Sequence, residues 1–114
     1  MFGSGKDQFV KLVEKNRWDA LNKKLSGANK QTRLEIAEAC SHSSEDESMN
    51  IMIRLLTDSD PDVQLQAVKS LGISGRANAK SHLTWLSNHL PAQRGEEIQQ
   101  AIKDSFAAIT ARHA

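Results

Sequence analysis

Apolar residues recur along this chain at the three- and four-residue spacing of a helix, not at the alternation of a strand. Met49, Met52, Ile53 and Leu56 follow this spacing and share one face of a helix. Further stripes of the same kind are Phe9, Leu12 and Val13; Trp18, Leu21 and Leu25; Val63, Ala67, Val68 and Leu71; Leu83, Leu86 and Leu90; and Ile98, Ile102, Phe106 and Ile109. The pattern therefore predicts an all-α protein.

Residues that start helices lie just before several of these stripes. Asp60 followed by Pro61 fits an N-cap and a first helical position, where the missing proline N–H costs nothing. Asn29 is placed to cap an earlier helix, and Ser44 with Glu47 matches a capping box before the methionine-rich stripe. These signals divide the stripes into separate helices.

Glycines and a second proline lie where stripes end. Gly27, Gly72 and Gly75 follow apolar stripes, which is the usual position of a C-terminal glycine. Pro91 and Gly95 predict a loop before the last helix. These residues mark where the predicted helices end.

The chain contains an internal repeat. A shift of 31 residues places Leu21 on Met52 and Leu25 on Leu56 without a gap. The same shift aligns the second helices of two hairpins, pairing Thr32 with Val63, Leu34 with Leu65, Ile36 with Ala67, Ala37 with Val68, and Cys40 with Leu71. Because stripes, turn and cap coincide together, we interpret this as a repeat of helical hairpins.

A third copy of the hairpin is less regular. Leu83 and Leu86 align with Ile53 and Leu56, but the loop that follows is longer, which leaves the register of the last helix open. We predict a single domain over residues 1–114, with a short N-terminal helix at 6–15 and repeats near 16–43, 44–75 and 78–111.

The central repeat resembles a known family. Its paired leucines, Asp-x-Asp turn, valine, alanine pair and Leu-Gly-x-x-Gly ending are similar to the HEAT repeat, especially the short bacterial form called PBS-lyase HEAT-like. The resemblance implies a short right-handed α-solenoid of about three antiparallel helical hairpins. In this family an arginine after the valine often pairs with turn aspartates of neighbouring repeats. That position holds Arg33 in the first repeat but Gln64 in the second, so we expect an incomplete ladder.

The composition and the net charge limit the classes of molecule that we expect the chain to bind. The net charge of +1 provides no overall field to attract nucleic acid or an anionic membrane. No apolar run approaches the roughly 20 residues that span a bilayer, and the N-terminus lacks the apolar stretch of a signal peptide. Cys40 is the sole cysteine, which rules out an intrachain disulfide and fits a reducing compartment. We expect a cytoplasmic protein that binds neither nucleic acid nor membrane.

The motifs that could carry chemistry have simpler explanations. Asp58, Asp60 and Asp62 resemble the start of a calcium loop, but the glycine and glutamate positions of such a loop hold Val63 and Lys69. A turn and helix cap explain these aspartates. We therefore predict no calcium site here.

Cysteine and histidine form no recognisable catalytic or metal-binding set. Cys40 aligns with the core position Leu71, which predicts a buried structural thiol rather than a nucleophile paired with His42. His82 and His89 lie seven residues apart, without the further ligands that zinc requires. We therefore predict that the chain is not an enzyme and holds no metal or cofactor.

The two tryptophans lie beside leucine stripes. Core packing is the simpler interpretation of both Trp18 and Trp85, because an indole ring contributes a large apolar area. The alternative for Trp85 is a partly exposed anchor for a binding partner.

The outward side of the second helices is a candidate protein-binding face. With Val63, Ala67 and Leu71 directed inward, the outward row comprises Gln31, Glu35, Glu38, Asp62, Gln66, Lys69, Gln100, Lys103 and Asp104. The row is mixed and slightly acidic, whereas a phosphate-tracking groove would show clustered Lys and Arg. It favours a protein or peptide as the partner.

We therefore predict a non-catalytic protein-interaction or scaffolding module. The resemblance implies one alternative, an accessory role in bilin or tetrapyrrole attachment, and nucleic-acid binding is a further alternative that the charge disfavours. The last helix also has ample apolar surface, so a symmetric homodimer is a separate hypothesis.

Overall fold

The computed structural model describes residues 5–113, with side chains from Asp7 onward, and none of these residues lies in a strand. The described helices are α1 (Gly5–Glu14), α2 (Trp18–Leu25), α3 (Lys30–Ala39), α4 (Asp46–Leu55), α5 (Pro61–Ser74), α6 (Ala79–His89) and α7 (Glu96–Arg112). Short 3₁₀ helices follow α3 at Cys40–His42 and precede α7 at Ala92–Arg94. The all-α prediction is confirmed.

Three helical hairpins stack side by side. The first helices α2, α4 and α6 pack against the second helices α3, α5 and α7 respectively. The second helices also pack against one another, with α5 between α3 and α7, and α1 covers the other side of α3. Each hairpin has more than one apolar face, so stacking buries apolar surface that a single hairpin would leave exposed to water. The architecture is solenoid-like.

Two of the predicted helix caps are confirmed. The Asn29 side chain accepts a hydrogen bond from the Thr32 N–H at 2.9 Å at the start of α3. The Asp60 side chain accepts one from the Asp62 N–H at 2.8 Å, with Pro61 as the first residue of α5. Both bonds satisfy amide groups that have no partner inside the helix.

The predicted capping box before α4 is wrong. The helix begins at Asp46 after Glu45, whose side chain makes no cap hydrogen bond. The Ser44 hydroxyl donates instead to the Ser74 carbonyl at 2.8 Å. Ser44 therefore lies one residue before the N-cap and does not cap α4; its hydroxyl binds a carbonyl at the end of α5, where helix carbonyls lack intrahelical donors.

Gly72 lies inside α5, so its predicted position after the helix is also wrong. A Cβ atom at this position would lie 2.5 Å from the Ser105 Oγ on α7. The Ser105 hydroxyl donates to the Val68 carbonyl at 2.8 Å across the same contact. The glycine therefore allows α7 to approach the backbone of α5. Gly75 caps the helix, and its N–H donates to the Leu71 carbonyl at 2.7 Å.

Cys40 is a buried core residue, as its alignment with Leu71 predicts. Its carbonyl accepts hydrogen bonds from the hydroxyls of Ser48 at 3.0 Å and Ser74 at 3.1 Å, which join α4 and α5 to the end of α3. Desolvation raises the pKa of the Cys40 thiol to about 11, against an opposing effect of the Ser48 hydroxyl. The thiol is therefore neutral at physiological pH.

Replacing Gly72 with alanine tests the contact between α5 and α7. In an open helix this change stabilises by about 1 kcal/mol, but here we expect a loss of about 1–3 kcal/mol because the methyl group meets Ser105. Urea unfolding measures the change. Adding Ser105→Ala to Gly72→Ala removes the nearest oxygen and should recover part of the loss; a stabilising Gly72→Ala would contradict the close approach.

Burial of Cys40 predicts a pH-dependent stability. The pKa of the thiol is higher in the folded chain, at about 11, than the ordinary value of 9.0, so the unfolded chain loses this proton first as pH rises. This contribution is complete below about pH 9 and should fall by up to about 1.4 kcal/mol per pH unit above it. Urea midpoints across this range should fall less steeply in Cys40→Ala; equal slopes would contradict the assignment.

Candidate protein-binding surface

Trp85 is the exposed aromatic side chain of α6. It is 49% exposed, whereas Trp18 is 9% exposed and packs in the core. Core packing is therefore right for Trp18 and wrong for Trp85, whose ring is exposed. The reason lies in the helical period: Leu83 is buried, and two residues later the side chain has turned by about 200°, away from the core.

The Trp85 ring stacks on the ring of His89, one helical turn later. Their centroids are 4.1 Å apart, with an angle of 14° between the planes. The His89 Nδ1 lies 2.7 Å from the Trp85 carbonyl oxygen, which can only accept, so Nδ1 carries the proton and donates. The two stacked rings form a ridge along α6.

A groove lies on each side of Trp85. One has a volume of about 390 Å³ between α4 and α6 and is lined by Ile53, Arg54, Leu56, Thr57, His82 and Trp85. The other has a volume of about 400 Å³ beside the turn before α5, where its walls include Pro61, Leu86, Leu90, Pro91 and Arg94. The ridge and both grooves, which we call the Trp85 surface, combine apolar walls with basic side chains.

The charge of the Trp85 surface is positive. No carboxylate of the described residues forms an ion pair with the exposed Arg54. Arg94 donates to two neutral groups, the Gln64 side-chain oxygen and the Pro61 carbonyl at 3.3 Å. Neither contact cancels its charge.

Asp58 is a lining residue whose negative charge is compensated. The Arg33 guanidinium binds it through two hydrogen bonds, Nε to Oδ1 at 2.9 Å and Nη2 to Oδ2 at 3.2 Å. This pair joins the first repeat to the turn of the second. Arg33 occupies the position at which the HEAT-repeat resemblance predicts such an arginine. Gln64, which replaces the next arginine, instead accepts from Arg94 of the third hairpin. The second and third repeats are therefore also joined by an arginine, but its acceptor is a neutral amide oxygen and not a carboxylate.

The aspartates of the Asp-x-Asp turn cap a helix and pair with a lysine. Lys30 donates to Asp62 at 2.7 Å and lies 3.5 Å from Asp60. The hydrogen bond to Asp62 is the main reason why the pKa of Lys30 is raised. Desolvation opposes ionisation of Asp60, but the Asp62 N–H and Lys30 outweigh it and lower the pKa of that carboxyl. Within residues 5–113 no three His, Cys, Asp or Glu side chains form a metal-binding group.

The predicted row on the second helices contains contacts made mainly within each helix. Gln31 donates to Glu35 at 3.2 Å on α3, and Gln100 donates to Asp104 at 2.9 Å on α7. On α5, Gln66 donates to the Ser70 hydroxyl at 3.2 Å. These polar side chains therefore already have hydrogen-bond partners within their own helices.

The other members of the row have different surroundings. Asp62 pairs with Lys30, Glu38 is partly buried and Lys69 is exposed. Lys103 lies beside Phe106 in a groove of about 270 Å³ between α6 and α7. The row also includes a residue that sequence reasoning missed. Ile73, four residues after Lys69, is 64% exposed. The sequence contains a signal for this exposure, because Ile73 lies two residues beyond the Val63–Leu71 stripe and therefore on another side of the helix.

The apolar face of α7 is mostly covered. Ile98, Ile102 and Ile109 are buried, and Phe106 is 36% exposed beneath the Lys80 ammonium, which lies 5.2 Å from its ring centroid. The apolar surface that α7 leaves for a homodimer is therefore smaller than its sequence indicates.

The fold and its contacts define a stack of helical hairpins, which is the α-solenoid class. A model of HEAT repeats matches residues 19–105, and the chain belongs to this family. Repeats of this family generally mediate protein–protein interaction and are typically non-enzymatic scaffolds. No curated protein and no solved structure matches the chain significantly. None of the described helices is long and apolar enough to cross a membrane.

The different exposure of the two tryptophans predicts a divided fluorescence response. Acrylamide should quench Trp85 efficiently and Trp18 weakly, because only the first ring is open to solvent. Trp85→Phe should remove the readily quenched component and leave the protected one. If the emission that remains in Trp85→Phe were as accessible as in the original chain, the assignment of exposure would be wrong.

Proposed function

We propose that this chain is a non-catalytic protein-interaction module that binds its partner through the Trp85 surface. Membership of the HEAT-repeat family supports a protein partner. The observation that carries the proposal is the half-exposed Trp85 ridge between two grooves. Tryptophan and arginine dominate the residues that contribute most to protein interfaces, and this surface supplies both.

The geometry of the grooves supports a ligand with protruding side chains. Each groove lies within the range of about 300–1,000 Å³ that suits compact ligand groups. Both are open to solvent along α6, and the apolar ridge stands between them. A peptide or loop could therefore place one side chain in each groove while covering the indole ring.

The outward row of the second helices is the second candidate surface for the same function. It extends over α3, α5 and α7, and the exposed Ile73 near the end of α5 gives it an apolar contact. We rank it below the Trp85 surface because several of its polar side chains already bond within their own helices. The row also contains no aromatic side chain comparable to the half-exposed Trp85.

Retention of partners from a cell extract tests the function. The immobilised chain should retain proteins that Trp85→Ala loses, while Lys69→Ala, an exposed change on the outward row, keeps them. Trp85 is exposed, so we expect the melting temperature of Trp85→Ala to stay close to that of the original chain.

Two results would contradict the proposal. Retention of no protein above bare resin would count against an interaction module. Retention lost in Ile73→Ala but kept in Trp85→Ala would assign binding to the outward row instead.

A further inference from the structure

We propose that the Trp85 surface recognises a peptide segment of a partner protein in which Asp or Glu residues flank an apolar side chain. The inference rests on the proposed function and adds the chemistry of the ligand. It follows from three features of the same surface: its apolar ridge, the position of its two arginines, and the compensation of its one lining carboxylate.

The ridge provides the apolar contact. The His89 ring stacks on Trp85 and donates to its carbonyl, so both rings are restrained before a ligand arrives. Ile53 and Leu56 line one groove, and Leu86 and Leu90 line the other. An apolar side chain placed against the face of the Trp85 ring would release water from two apolar surfaces, which favours binding. Restraint of the rings also lowers the entropy lost on binding.

The arginines flank the ridge. Arg54 lines the groove between α4 and α6, and Arg94 lines the groove on the other side of Trp85. Arg54 has no carboxylate partner among the described residues, and Arg94 contacts neutral acceptors. Guanidinium groups bind carboxylates through paired hydrogen bonds. A ligand with a carboxylate on each side of its apolar residue therefore matches this surface.

The one carboxylate that lines the grooves does not oppose such a ligand. Asp58 is held by Arg33 through two hydrogen bonds and also accepts from the Asp60 N–H at 2.9 Å. Its side chain is 10% exposed. The charge presented to a ligand is thus that of Arg54 and Arg94.

A peptide fits these observations better than a single-stranded nucleic acid. Both ligands can use an aromatic ring and arginines. A phosphate backbone, however, needs a continuous row of cations, and here the arginines are separated by leucine and proline walls. The whole chain has 15 Lys and Arg against 14 Asp and Glu, so no wider basic field supplements them.

Selection of a displayed library of random peptides on the full chain tests the inference. The enriched sequences should combine Asp or Glu with Leu, Phe or Trp. A synthetic copy of an enriched peptide should bind at least about tenfold more weakly to Arg54→Glu and to Trp85→Ala. Lys24→Glu makes the same charge change at an exposed position of α2, outside both the Trp85 surface and the outward row, and should leave the affinity unchanged. Binding should also weaken as salt is raised, because ion pairs contribute to it.

The remaining outcomes separate this inference from the proposed function. Enriched peptides that are basic or uncharged, or that lose affinity with Lys69→Glu on the outward row and not with Arg54→Glu, would overturn the acidic ligand while the chain remained a protein-binding module. Enrichment of no peptide would overturn the inference, and the extract experiment would then decide the function by itself. Binding of oligothymidylate that Arg54→Glu and Trp85→Ala both abolish would overturn it in favour of nucleic acid.

Discussion

The packing of α5 between α3 and α7 is the constraint on which the other parts of the structure depend. On one side, the Ser74 hydroxyl of α5 bonds to the Cys40 carbonyl after α3. On the other, Gly72 lets Ser105 of α7 approach closely enough to bond to the backbone of α5. Both serines are buried, and an unpaired polar group there would be costly. They fix how far each hairpin is displaced from the next, and this displacement sets the spacing of the first helices.

The spacing of the first helices creates the Trp85 surface. With α7 held against α5, α6 lies beside α4, and the gap between them is the groove that Arg54 and Trp85 share. The loop before α7 is held in turn by Arg94, which reaches Gln64 and the Pro61 carbonyl on α5. An arginine thus contributes both to joining the second and third hairpins and to the charge of the surface. Stacking and recognition use some of the same residues.

Sequence reasoning predicts most of the fold because helix formation is governed by local signals. The apolar stripes indicate where helices lie, and the N-cap residues Asn29 and Asp60 indicate where two of them begin. Each of these signals involves residues that are close in sequence. It fails where a residue makes its contact with a distant part of the chain. Ser44 binds the Ser74 carbonyl and does not cap α4, and Gly72 lies inside α5, where Ser105 of α7 approaches it closely. The candidate site was harder still. The helical period predicts that Trp85 and Leu83 lie on different sides of α6. Trp85 lies near Arg54 and Arg94, however, only because of the way the hairpins stack, and the apolar stripe of a single helix does not predict that stacking.

The indole N–H signals of the two tryptophans can show directly whether partners bind at the Trp85 surface. A ¹H–¹⁵N correlation spectrum of the labelled chain contains one such signal for Trp18 and one for Trp85, the sole tryptophans. On titration with a bound partner or selected peptide, the Trp85 signal should shift and saturate with the binding curve while the buried Trp18 signal stays in place. A saturating titration that moves neither indole signal, while backbone amides of the outward row shift, would contradict the account.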